Sequence, residues 1–563
     1  MDGWTWESLD REEEELAAEA MAEQAYQARQ AARQLEEERW VDGVVEEQER
    51  RERERANARR KSSEQPPKSR IDRPKDWVEW EAAVAPFGLG IVASGAEGGG
   101  GRGLVARRLF ACGEIVLSSQ PIVFVVNQQS LKTCCHHCLA RACRLLVCSR
   151  CGCARYCSVD HQRAAWEEHR DECALLSRTR PRVPGQTIRL LARLLSKLRR
   201  SVKDDSGVHS QPEAGDQVLR ASRRGEEGAN PPQVPAADAH RWAMSPSGIS
   251  SLPHQLTAQP DLRVREFREQ GAMLCSLIAD VAGISSDPTA VAIADGTTSC
   301  LETAGHTEEK SNGQVLPART GSKCSHGWAA APLPGAQVVA EMISRLSLNC
   351  HTICDEELME LGVGLYPVAA LANHSCIPNV TQSFGPNGQI FFRALAPIEC
   401  GEEITISYID IAGACAERHQ VLKDTYLFEC SCAACARASM CTPAAEAHER
   451  ERAFMAAALR EAQQAEHDAL DREDWSVALA HARKGCELGE ALLPHHNPSL
   501  GLQYLRASKL YAHLGDLQEA VACSRRALSI LCVTHGDESS LVRKAQEMQR
   551  ALQMELAYGV APG

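Results

Sequence analysis

Between Cys134 and Cys173 the chain reads CCHHCLARACRLLVCSRCGCARYCSVDHQRAAWEEHRDEC, and this block constrains the fold more than any other stretch. It parses into ligand pairs: Cys135 with Cys138, Cys148 with Cys151, Cys157 with His161, and His169 with Cys173. Zinc takes tetrahedral nitrogen or sulfur ligands, and paired ligands a few residues apart can grip one ion from a single turn or helix end. Two structural zinc ions are therefore expected. With the first and third pairs on one ion and the second and fourth on the other, the sites interleave and brace a segment too small for its own apolar core. Cys134, Cys143 and Cys153 are left as spares. A chance cluster or an oxidised disulfide framework is the competing reading, and the regular pairing with two well-placed histidines argues against it.

The chain has 25 cysteines among 563 residues. Its opening, MDGWTWESLDREEEELAAEA, is acidic and lacks the apolar core of a secretory signal, so a reducing compartment and free or metal-bound thiols are expected. A cytoplasmic or nuclear location follows, with the basic run ARRKSSEQPPKSR (Ala58 to Arg70) as a weak import candidate or plain linker. The longest apolar run, AMLCSLIADVAGI from Ala272, is broken by Asp280 and too short to span a bilayer. A net charge of -13 disfavours nucleic-acid binding through overall charge. A chain this long exceeds one compact core, so several domains are expected.

Composition divides the chain. Residues 1–76 are rich in Glu, Arg, Ala and Gln and read as a charged helical or disordered arm. From Trp77, short apolar runs bounded by Gly and Pro (FGLGIVAS, GRGLVARRL, CGEIVLSSQPIVFVV) read as strands. After the cysteine block, Ile188, Leu190, Leu191, Leu194, Leu195 and Leu198 form a helical stripe of core type. Residues 201 to about 330 read as a low-complexity insertion with one helical island, Val264 to Ala282. Strand-like runs resume from Gln337 to Tyr408, and the chain beyond Ala444 is helical. There Leu514, Gly515, Ala520 and Ala527 sit where a tetratricopeptide-type hairpin needs small residues, although a plain helical bundle fits equally well.

Three further motifs carry chemistry. LANHSCIPNV (Leu371 to Val380) sets Asn373, His374 and Cys376 close together, as a nucleophile with its base, as metal ligands, or as a turn. A hydrolase built on His374 and Cys376 would need an accessible thiolate and an oxyanion site that one short loop supplies poorly. CSCAAC places Cys430, Cys432 and Cys435 as three thiolates, one short of a tetrahedral site. Of two GxG pairs, Gly88-Leu89-Gly90 and Gly101-Arg102-Gly103, neither is informative alone.

The cysteine block, including RYC, Gln162, Trp166 and the closing His169 to Cys173, resembles the MYND zinc finger, departing from it at His161, where Cys is usual. GRGLVARRLFACGEIVLSSQP resembles the first strands of a SET methyltransferase domain, departing at Gly100, where a basic residue is common. With NCHTICDEELMELGVGLYPVAALANHSCIPNV, RALAPIECGEEITISYID and YLFECSCAACARA, the chain resembles the SMYD family of SET and MYND protein lysine methyltransferases over roughly 80–198 and 337–440.

That resemblance implies an α+β multidomain protein: a SET β-fold (77–133 and 337–411) interrupted by a MYND finger (134–178) and by insert helices with the low-complexity stretch (179–336). A post-SET zinc segment (412–440) and a helical, TPR-like domain (445–563) follow. It implies S-adenosylmethionine as cofactor, held by Gly101, Arg102, Gly103, Asn349, Asn373 and His374, with Phe428 stacking on adenine. It implies Tyr408 and Tyr426 as the walls of a lysine channel, Tyr408 leading in catalysis, and Cys376 as fourth ligand to Cys430, Cys432 and Cys435. LANHSCIPNV then splits into a cofactor half, Asn373 and His374, and a metal half, Cys376. About three zinc ions are expected from the ligand sets. The implied partners are protein substrates bearing a target lysine, histones among them, and proline-containing peptides at the finger, with the protein a monomer. The alternative function is a catalytically weak adaptor working through its MYND and helical parts.

Overall fold

The structure, a computed structural model, describes residues 75–94, 101–142, 144–206, 246–253, 255–282, 334–440 and 442–558. The charged arm, the basic run at Ala58 to Arg70, the spare Cys143 and most of the expected insertion lie outside them. Among the described residues no helix is long and apolar enough to cross a membrane.

Helix α1 (Lys75–Val84) leads into β1 (Leu89–Ser94), β2 (Gly101–Ala106), β3 (Ile115–Ser119) and β4 (Val123–Val126). The cysteine-rich stretch supplies the hairpin β5 (Leu146–Val147) and β6 (Arg155–Tyr156), then α2 (Val159–Ala164) and α3 (Trp166–Thr179). Helices α4 (Gln186–Ser206), α5 (Pro246–Ser250), α6 (Asp261–Ala282) and α7 (Ala336–Asn349) come next. Strands resume as β7 (Cys350–Cys354), β8 (Glu360–Leu365), β9 (Asn373–His374), β10 (Val380–Phe384), β11 (Ile390–Ala394) and β12 (Glu403–Ile406). The chain continues through α8 (Cys415–Tyr426), α9 (Ala433–Ala438), α10 (Pro443–Asp471), α11 (Trp475–Leu492), α12 (Pro498–His513), α13 (Leu517–His535) and α14 (Ser540–Tyr558).

Strands from either side of the cysteine-rich stretch pair with each other. The sheets run β1-β2-β12-β9, β10-β11-β3 and β4-β8-β7. Leu104, Leu117, Val125, Phe392 and Ile404 are fully buried between them. Gly362 in β8 faces Val125 so closely that a Cβ would stand 2.2 Å from its carbonyl oxygen, which requires glycine there.

Two stretches expected to open with strands open with helices. In α1, Trp80, Ala83 and Val84 are buried, and in α7, Val339, Ala340, Ile343 and Leu346 are buried. These are three- and four-residue spacings, so the helical period overrides the short-run appearance. Among the described residues of the insertion, besides the expected island, now α6, helix α5 and the following turn bury Ile249, Leu252 and Leu256.

The C-terminal helices pack as successive hairpins. Asp474 caps α11 by accepting from the Val477 amide (3.3 Å), and Asp516 caps α13 by accepting from Glu519 (3.1 Å). Small residues let the helices close: a Cβ on Gly485 would meet the Gln503 side chain at 2.8 Å.

A buried ion cluster ties the cysteine-rich stretch to the sheets. Glu172 of α3 takes Arg189 (2.8 Å) and Arg193 (2.6 Å) of α4, all three side chains almost wholly buried. The guanidinium groups also donate to the Val126 and Phe124 carbonyls of β4, both at 2.8 Å. Burial pushes the Glu172 carboxyl up, but Arg193 and Arg189 outweigh it and hold the group well below the usual range. Glu172→Ala leaves two buried cations without their counter-charge and is expected to destabilise the protein by about 3–5 kcal/mol. Urea denaturation measures this, and a change under about 1 kcal/mol contradicts the cluster's role.

Candidate active site and metal clusters

The ligand pairs of the cysteine block converge as the spacing predicts. Cys135, Cys138, Cys157 and His161 form one group and Cys148, Cys151, His169 and Cys173 the other, with ligand atoms within 4.8 Å of one another. Tetrahedral zinc with bonds near 2.3 Å to sulfur separates two sulfurs by about 3.8 Å. The Cys138 and Cys157 sulfurs lie 3.8 Å apart, as do those of Cys148 and Cys173. His161, the position that departs from the MYND pattern, puts Nδ1 at 2.9 Å from Cys157 Sγ and 3.8 Å from Cys135 Sγ. Local structure explains the convergence. Ser158 caps α2 by accepting from the His161 amide, while His169 and Cys173 lie one turn apart on α3. Amides of Cys153 and Ala154 point at Cys151 Sγ (3.4 and 3.5 Å), an arrangement that favours a thiolate.

A third group joins distant parts of the chain. Cys376 meets Cys430, Cys432 and Cys435, with Cys376 Sγ 3.9 Å from Cys430 Sγ and 3.6 Å from Cys435 Sγ. All three donor sets fit zinc in ligand type, number and spacing. A buried Cys376 inside a four-thiol group leaves no accessible nucleophile, which removes the Cys/His hydrolase reading. Cys415 and His419 of α8 form a further potential ligand group with Cys435, unforeseen from sequence.

The sequence also carried no sign of Arg418. This buried α8 side chain places Nε 3.3 Å from Cys376 Sγ and Nη2 3.8 Å from Cys435 Sγ. Burial lowers its pKa, but the Cys435 and Cys376 sulfurs outweigh that and raise it, so the guanidinium stays charged against the thiols.

His374 connects this cluster to Tyr408. Its Nδ1 accepts the Tyr408 backbone N–H (3.1 Å), so the ring proton sits on Nε2, 3.3 Å from Cys376 Sγ. The expected split of LANHSCIPNV into two halves therefore differs at His374, whose imidazole lies on the sulfur side. Asn373 holds the other side, donating to Glu403 Oε1 (2.7 Å) and the Arg102 carbonyl (3.2 Å).

The glycine pair lies in β2. A Cβ on Gly103 would stand 2.4 Å from Glu403 Oε1 and 2.6 Å from Asn373 Nδ2, so that glycine admits these polar groups. Gly101 begins the strand, exposed. Arg102 turns its guanidinium to Asp76 (2.5 Å) and the Ser251 carbonyl (2.5 Å), and Asn349 donates to the Pro253 carbonyl (2.9 Å). Residues 251–253, read as insertion from sequence, are thus held by two of the expected cofactor residues.

Tyr408, Tyr426 and Phe428 gather here. The tyrosine rings lie 4.9 Å apart, and Phe428 stands edge-on to Tyr408 at 6.3 Å. The Tyr408 hydroxyl donates to the Ala372 carbonyl at 2.6 Å. Burial, then Tyr426 and Glu403, pushes the Tyr408 phenol up, and burial does the same for Tyr426, so both stay protonated at neutral pH. Both tyrosines line an inner cavity of about 90 Å³ with Asn349 and an outer one of about 290 Å³ with Asp410 and Glu417. A groove of about 380 Å³ between the sheets and α10 shares Gln382, Ile406 and Ser407 with the inner cavity.

The sequence profile of the SET domain matches residues 101–409, more than half of the chain. The chain belongs to the SET family, in its SMYD branch. It is 26% identical to the histone-lysine N-methyltransferase SMYD3 of Mus musculus over 78% of this chain and 93% of that protein. The N-lysine methyltransferase SMYD2 of Gallus gallus is 24% identical over 83% and 98%, and the histone-lysine N-methyltransferase ASHR1 of Arabidopsis thaliana 23% over 81% and 94%. The matched region includes Tyr408 and Cys376, whereas Tyr426, Phe428, Cys430, Cys432 and Cys435 lie beyond it.

Arg418→Leu removes the cation beside the Cys376 thiols and is expected to speed zinc loss from that site about tenfold. Chelator-coupled absorbance measures the release, and an unchanged rate contradicts the role.

Proposed function

We propose that this protein is an S-adenosylmethionine-dependent protein-lysine N-methyltransferase acting on histone lysines, non-histone lysines or both. The observation that carries the reading is the pair of tyrosines lining two cavities, linked through His374 to the Cys376 cluster. Histone-lysine and N-lysine methyltransferase names of the SMYD relatives support the same activity.

The residues fit the cofactor: half-buried Asn373 and Glu403 offer amide and carboxylate partners, and Phe428 offers an aromatic face that suits adenine or a sulfonium. We assign Gly101, Arg102, Gly103, Asn349, Asn373, His374 and Phe428 to its site, His374 through its main chain because both ring nitrogens are engaged. When bound, S-adenosylmethionine supplies an activated methyl group. The protein's part is alignment and delivery of a neutral amine. Tyr408 and Tyr426 wall the channel and exclude water, which disfavours the ammonium form of lysine. The Tyr408 hydroxyl directs its proton to the Ala372 carbonyl, so its oxygen would accept from a substrate amine N–H and orient that nitrogen for transfer.

The same reading divides the chain into SET parts at 77–133 and 337–411, a MYND finger at 134–178, insert helices within 179–336, a post-SET segment at 412–440 and a TPR-like domain at 445–563. The capped hairpins at Asp474 and Asp516 support the last. Exposed Leu146, Val147 and Trp166 support docking of proline-containing peptides on the finger. The protein would act as a monomer in the cytoplasm, the nucleus or both.

Tyr408→Phe is expected to reduce methyl transfer roughly a hundredfold while preserving fold and metal content. Labelled S-adenosylmethionine with histones and fractionated cell extract tests this, and unchanged turnover in a folded variant removes the role. Metal analysis is expected to find about three zinc ions per chain, and fewer than two contradicts the interleaved sites.

A further inference from the structure

A polar pair, His351 buried and Gln382 half-buried, stands beside the tyrosines. His351 lies in β7, the edge of its sheet, and Gln382 in β10, the edge of the neighbouring one. His351 Nδ1 lies 3.0 Å from Gln382 Oε1, so the imidazole donates and the amide oxygen accepts. The ring is only 9% exposed and stands edge-on to Tyr366, the centroids 5.6 Å apart. Burial lowers its pKa to about 4, against the Gln382 hydrogen bond, so the ring is neutral at physiological pH. Among the described residues it joins no metal-ligand group.

A neutral imidazole bonded across two sheet edges would serve as a seam and nothing more if the space beside it were filled. It is not filled. His351 and Gln382 line the inner cavity together with Tyr408, Tyr426, Asn349 and Ser407. The part of the channel supplied by β7 and β10 is therefore polar, in contrast to the aromatic walls.

Polarity in that wall bears on how many methyl groups the lysine nitrogen takes. In each transfer the nitrogen lone pair forms the new N–CH3 bond, the S–CH3 electron pair stays on sulfur, and a proton leaves the amine for water. Every cycle thus replaces an N–H donor with an apolar group. Imidazole, amide and hydroxyl groups are satisfied by an N–H or a water molecule, whereas a methyl group against them leaves buried polar atoms without partners. A second transfer requires the first methyl group to turn away from the donor and into the channel wall.

Resting on the methyltransferase reading, we propose that the His351–Gln382 pair is a specificity-determining wall that restricts the protein to monomethylation of lysine. The pair admits an amine that keeps its N–H donors and rejects one that already carries a methyl group. Nothing in this requires His351 to take or give a proton.

The test incubates the full-length protein with labelled S-adenosylmethionine, histones and fractionated cell extract, then hydrolyses the total protein and separates mono-, di- and trimethyllysine. This readout works before any single substrate is identified. Wild type is expected to give monomethyllysine almost alone. His351→Phe and, independently, Gln382→Leu are expected to raise the ratio of di- and trimethyllysine to monomethyllysine at least about tenfold, the scale on which a site discriminates one methyl group. His351→Asn, which keeps a hydrogen-bonding side chain, is expected to remain near the wild-type ratio. A role confined to the seam lowers the thermal midpoint of the variants but leaves their product ratio alone. Predominant di- or trimethylation by wild type overturns the proposal, as does an unchanged ratio in a folded, active variant. Gln382 is only half-buried, so Gln382→Leu serves where His351→Phe fails to fold. Absence of label from lysine with wild type removes the methyltransferase reading itself, and this inference falls with it.

Discussion

The thiol group of Cys376, Cys430, Cys432 and Cys435 is the constraint on which the candidate site depends. It joins a loop of the sheet region to a segment more than fifty residues downstream, and that segment carries Tyr426 and Phe428 just before its first cysteine. Four sulfurs at tetrahedral spacing are incompatible with free movement of either partner. Through the His374 imidazole the same group reaches the Tyr408 main chain, so the thiol group and the Tyr408 cavity share one hydrogen-bonded connection. Cys376 therefore bears on the Tyr408 cavity indirectly, through His374, without lining it.

A second node does the equivalent work for the cysteine-rich finger. Its helix α3 presents His169 and Cys173 to one metal group, while Glu172 between them engages Arg189 and Arg193. Those arginines end on carbonyl groups of β4, a strand buried along its whole length. The finger is thus fastened to the sheets by charge-assisted hydrogen bonds in a dry environment, where geometry is strongly enforced. Two clusters of potential metal ligands and one ion cluster thus lie between short sheets of three and four strands and the segments packed on them.

The polar groups around the Tyr408 cavity follow from this frame. Tyr408 is held by the Ala372 carbonyl and by His374, Asn373 by Glu403, and His351 by Gln382. Each pair spans separate elements, and Tyr408, His351 and Gln382 leave an aromatic or polar face toward the inner cavity. A preorganised site of this kind aligns reactants without large rearrangement.

Much of the clustering of potential metal ligands was legible in the order of residues. Ligand spacing in the cysteine block follows from the bite of a turn or helix end, a local property, so even the interleaved pairing of ligands could be read from it. The strand-like runs around GRGLVARRL and GEEITISY were legible for the same local reason. Helices α1 and α7 were not, because short apolar runs rich in β-branched residues look alike in either state until a partner surface selects the period. Only the tertiary structure decided what Arg418, Glu403, Ser251, His351 and Gln382 do. Their significance lies in contacts between residues tens to hundreds of positions apart, and no local pattern of a single chain encodes such distances.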